Sequence, residues 1–82
     1  MYLLLARCNM DDVPVQLFIS LTEARNLFGL IPVDAEDAED FLCEILDIKG
    51  LPSTLHSAAI IGFDENGVAK KEYIEYRSFY QS

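Results

Sequence analysis

Asp34-Ala-Glu-Asp-Ala-Glu-Asp-Phe-Leu-Cys-Glu-Ile-Leu-Asp-Ile-Lys49 is the stretch that organises this chain. Seven of its first fourteen residues are acidic and none is basic. At about 100° per residue, Ala38, Phe41, Leu42, Ile45, Leu46 and Ile48 gather on one side of a helix. Glu36, Asp40, Glu44 and Asp47 line the opposite side, with Asp37 and Glu39 on its flanks. The spacing predicts a helix over 34–49 that sits on a core and holds its charge in water. Asp34 is the natural N-cap, Glu36 and Asp37 suit the positive end of the helix dipole, and Gly50 and Pro52 mark its end.

Upstream, Ser20-Leu-Thr-Glu23 has the form of a capping box and starts a shorter helix, Leu21 to Phe28, which Gly29 should stop. Before it come two strand patterns. Tyr2 to Cys8 is apolar almost throughout, as expected of a central strand covered on both faces. Val13 to Ile19 alternates, and Pro14, which cannot donate to a ladder, belongs near a strand start or on an edge. Asn9 to Asp12 supplies the turn between them.

Downstream, residues 51–57 read as an irregular connection, and Ala58 to Phe63 as a short buried strand. Asp64-Glu-Asn-Gly67 is a strong hairpin signal, because Asn and Gly accept positive φ cheaply. Val68 to about Phe79 then forms a returning strand longer than Ala58–Phe63 can pair. Its distal half is therefore expected to meet another strand or a second subunit. The order strand, strand, helix, helix, strand, strand predicts a single α+β domain over 1–82. Its expected form is a four-stranded antiparallel sheet with both helices on one face.

Whole-chain properties narrow the function classes. The 82 residues carry a net charge of −8, with six basic residues of which only Lys70 and Lys71 are adjacent. That balance argues against phosphate-backbone binding and favours solubility, a basic protein partner or a cation. Cys8 and Cys43 make no Cys-x-x-Cys pair and read as free thiols of a reducing, cytoplasmic compartment. Cys8 falls in a strand core, whereas Cys43 falls near the middle of the polar side of the acidic helix, among carboxylates that disfavour a thiolate. No run reaches the 18 or so apolar residues of a membrane span.

Candidate chemistry is sparse. The helix carboxylates project in parallel and do not converge on a cation, so neither a metal nor another cofactor is expected. His56, the only histidine, lies near Ser53, Thr54 and Ser57 without a nucleophile elbow or glycine loop, and reads as a surface or capping residue. A catalytic role is not expected. Tyr73, Tyr76, Phe79 and Tyr80 are interleaved with Lys71 and Arg77, a composition suited to packing or to a subunit interface.

Two functional expectations result. In the first, Glu36, Asp37, Asp40, Glu44 and Asp47 form a patch that docks on a basic protein surface. In size and charge the chain resembles small acidic inhibitors of nucleases or of nucleic-acid-binding proteins, immunity-type and phage-encoded ones included. In the second, the chain is a homodimeric accessory protein assembled through its C-terminal strand, 68–80, using Tyr73, Tyr76, Phe79 and Tyr80.

Overall fold

A computed structural model describes residues 1–80. The elements are β1 (Tyr2–Cys8), β2 (Asp12–Phe18), α1 (Leu21–Leu30), α2 (Ala35–Leu46), β3 (Leu55–Phe63) and β4 (Ala69–Ser78). The strands form one antiparallel sheet in the order β2-β1-β3-β4. Each hairpin is local, and β1 pairs with β3 to join them. The apolar run of β1 suits this interior position, as does the short, β-branched and small-residue run of β3. Leu4 lies opposite Ile60 and Ala6 opposite Ala58, and all four are wholly buried.

Both helices cover one side of this sheet. There Leu4, Ala6, Cys8, Leu55, Ala58 and Ile60 from the strands meet Ala24, Ala38 and Leu42 from the helices. α1 packs over β1, β2 and β3, and α2 against β2 and β3. Ser20 caps α1 by accepting from the Glu23 amide, and the Asp64 carboxylate accepts from the Asn66 and Val68 amides in the β3–β4 turn. Gly67 in that turn has φ of 78°, the left-handed region in which glycine meets no penalty. Pro14 stands on edge strand β2, opposite Leu5, where the register shifts.

Several boundaries differ from the sequence expectation: β2 and β4 by one residue at each end, and β3, α1 and α2 for reasons the fold supplies. β3 begins at Leu55, because the main chain from Leu55 to Ser57 finds partners on β1 and β4. The longer β3 and register shifts within β4 absorb the apparent excess of the last strand, which pairs from Ala69 opposite Phe63 to Ser78 opposite Ser57. α2 ends at Leu46, since Asp47 turns into the left-handed region at φ 56°. The Ile48 amide then donates to the Cys43 carbonyl and closes the helix ahead of Gly50.

α1, in turn, passes through Gly29 to Leu30. Its last turn holds no basic residue of its own. Arg77 of β4 fills that role, with Nη2 donating to the carbonyls of Phe28 at 3.0 Å and Ile31 at 2.6 Å. The guanidinium also lies over the rings of Phe28 and Phe79, at 5.0 and 5.8 Å from their centroids. Ile31, just past the end of α1, is buried in the core at 2% exposure.

Arg77→Met keeps the stem and removes these donors. It should cost about 1–3 kcal/mol, the usual penalty for leaving partly buried acceptors unmatched. For a domain of this size each kcal/mol lowers the thermal midpoint by about 4–8 °C. A melt followed by circular dichroism checks this, and a midpoint equal to wild type would refute the capping role.

Candidate functional site

The acidic surface is built on α2. Asp34 Oδ1 accepts from the amides of Glu36 at 3.0 Å and Asp37 at 3.3 Å, satisfying two N–H groups that a helix start leaves open. The main chain of Tyr80 holds the same end of the helix in place. Its amide donates to the Val33 carbonyl, and its carbonyl accepts from the Ala35 amide, both at 2.9 Å. α2 is thus fixed at its entry by a cap and by a short parallel bridge between Asp34 and Tyr80.

Glu36, Asp37, Asp40, Glu44 and Asp47 are all exposed. Among the described residues the ion pairs are Arg7 with Asp12 at 3.2 Å and Arg25 with Glu75 at 3.0 Å, and neither involves α2. The five carboxylates are therefore solvent-facing along α2 and its C-cap, with no ion-pair partner among the described residues.

The roll of the helix differs from the expected one. Ala38, Leu42 and Cys43 are buried, and Ala35 and Phe41 pack partly against the core, while Ile45 and Ile48 stand exposed at 36% and 43%. α2 turns its small residues toward the sheet, because Ala35 and Ala38 allow a closer approach than Ile45 would. Cys43, expected on the polar side, is consequently covered by its own chain. Ile45 and Ile48 lie instead on the surface, close in sequence to Glu44 and Asp47.

Burial pushes the Cys43 thiol up, and Glu39 and Asp40 push it further. Burial also raises Cys8, partly opposed by a hydrogen bond from Ser53, with Glu39, Asp12 and Asp11 adding to the rise. Both sulfurs are free thiols, and this setting disfavours the thiolate.

His56 lies within β3, not in a loop. Its Nδ1 is 3.1 Å from Ser57 Oγ, but Ser57 is wholly buried. No carboxylate bonds to the imidazole among the described residues. The pair therefore has neither an orienting acid nor open approach to its hydroxyl. No group of three or more His, Cys, Asp or Glu side chains suited to a metal ion occurs among the described residues. No helix there is long and apolar enough to cross a membrane.

The four C-terminal aromatics are divided between different environments. Tyr73 and Tyr76 stack with centroids 5.5 Å apart on the sheet face away from the helices. The guanidinium of Arg7 sits 5.3 Å over the Tyr73 ring and donates to its hydroxyl. Phe79 is buried at 6% and belongs to the core, whereas Tyr80 exposes its ring and uses its main chain. Strict alternation would set residues 73 and 76 on opposite faces. The register shift between Ile60 and Ile61 puts them together, which the strand pattern alone does not signal.

No protein-family model, curated protein or solved structure matches this chain. The functional reading accordingly rests on its own surface.

In the folded protein both thiols should react with an alkylating reagent at about pH 8 at least 10-fold more slowly than in denaturant. Their raised pKa values stabilise the fold below the ordinary thiol range, and this contribution is lost as pH rises through that range. Replacing both by Ala should flatten the fall in thermal midpoint across alkaline pH. Fast labelling of Cys43 in the native state would contradict its burial.

Proposed function

We propose that this chain is a small cytoplasmic interaction module that docks on a basic protein surface through the outer face of α2. The observation that carries this reading is that Glu36, Asp37, Asp40, Glu44 and Asp47 face water while the ion pairs among the described residues lie elsewhere. Isolated surface carboxylates contribute little to folding. Arranged together they produce a local negative potential that speeds encounter with a cationic surface and fixes orientation.

Ile45 and Ile48 supply what charge alone lacks. Binding energy comes mostly from apolar side chains buried near the centre of an interface, with charges at the rim. Two exposed isoleucines beside a carboxylate patch fit that division. The free buried thiols suit a reducing compartment. In size and charge this is the profile of an inhibitor or immunity-type protein, whose target carries the complementary basic patch.

The reading is tested with the full chain as bait in lysate of its native host, at low and high salt. A basic protein should be retained at low salt and released as salt rises. The double reversal Asp40→Lys with Glu44→Lys should weaken its capture by about 10-fold or more and reduce the salt dependence, with the melting curve preserved. Unchanged capture by that variant, or the absence of any basic protein at low salt, would reject the acidic-face role.

A further inference from the structure

The side of the sheet away from the helices is bare and largely apolar. Leu17, Tyr73 and Tyr76 expose 56%, 43% and 49% of their surfaces. Leu3 and Phe63 are half-buried there and belong to no helix-side core cluster. Leu3, Leu17 and Phe63 border two shallow apolar depressions near the Met1 end. A sheet with one wet face normally alternates toward polar residues on that face. This one does not, and a contiguous apolar patch on a small domain marks an interaction site.

We propose that this face is a two-fold interface with a second copy of the chain, the two sheets stacking face to face. Three observations select that occupant. The first is charge. Arg7 and Asp12, which lie on this face, neutralise each other at 3.2 Å, and the remaining charge beside the depressions, Asp64 and Glu65, is confined to the Met1 end. Stacking here also places the two acidic helices on opposite outer surfaces, about 30 Å apart given ~10 Å per layer. At that separation, several Debye lengths of ~8 Å, the repulsion between the two helix-borne sets of carboxylates is screened.

The second observation is extent. Four strands of seven to ten residues cover roughly 500 Å² in projection, and side-chain relief raises the accessible area to about the 600 Å² per partner at which specific interfaces begin. The third is the state of the sheet edges. β2 carries Pro14 and a register shift, and β4 carries Lys70, Lys71, Glu72 and further shifts. Such edges resist strand-to-strand extension, which leaves the face as the route to assembly.

The β4 side of the interface is already ordered in the single chain. The Arg7 guanidinium lies over the Tyr73 ring, which in turn stacks on Tyr76. Tyr and Arg held in this way lose little freedom on association and serve as anchors. This interface is independent of the acidic-face reading, since α2 stays uncovered in the pair.

Sedimentation equilibrium of the full chain at about 100 μM is the test, because any dimer tighter than that concentration is then populated. The expected mass is twice 9.3 kDa. It should persist at high salt, in contrast to capture of a basic partner. Leu17→Lys and Tyr73→Lys, each made separately and checked for an intact melt, should raise the dimer dissociation constant at least 10-fold. Ile45→Lys on α2 should leave it unchanged. A wild-type monomer assigns the face to some other occupant and overturns the proposal. So does a dimer indifferent to both sheet-face variants, or an open-ended polymer.

Discussion

The molecule depends on the antiparallel contact between β1 and β3. Each hairpin alone would be a two-stranded ribbon, which is marginal in water. Joined through Leu4 with Ile60 and Ala6 with Ala58, they make a surface wide enough for two helices. The small residues matter as much as the large ones. Ala6, Ala24, Ala38 and Ala58 are wholly buried, and they let helices and strands approach closely enough to exclude water in a chain of only 82 residues. Closing the long connection between β2 and β3 costs chain entropy, which the burial on both strands must exceed.

Two further contacts tie the second hairpin to the helices. Arg77 reaches from β4 to the carbonyls at the end of α1, and the main chain of Tyr80 pairs beside the start of α2. Phe79 lies between these contacts in the core. The last described residues thus belong to the helical layer although they follow directly from an edge strand. The result is a two-sided molecule, with carboxylates over the helices and aromatic and aliphatic groups over the bare sheet. These two surfaces are far enough apart to act separately.

Much of this was legible in the sequence. The continuous apolar run of Tyr2–Cys8 marked a central strand, Pro14 an edge, Ser20 and Asp34 helix starts, and Asn66-Gly67 a hairpin. Each is a local preference with a local cause. The element order and layer arrangement followed from them. What escaped depended on long-range partners. Gly29 has no need to stop α1 once Arg77, 48 residues away in sequence, caps it. Residues 55–57 look irregular until two neighbouring strands claim their main chain. The roll of α2, which hides Cys43 and exposes Ile45, was beyond a helical wheel because the wheel ranks hydrophobicity and not the closeness of approach. The carboxylates of α2 were visible as composition, and that none of them has an ion-pair partner among the described residues required the fold.

The left-handed residue that closes α2 has a thermodynamic consequence. Position 47 favours Gly or Asn, and the C-terminal pole of a helix favours a cation. The chain instead places an aspartate there, one turn after Glu44, with no basic residue in the last turn. Backbone strain and dipole repulsion both act against this choice, so the end of α2 is locally frustrated. Conflicts of this kind in otherwise self-consistent chains tend to mark positions kept for something other than folding.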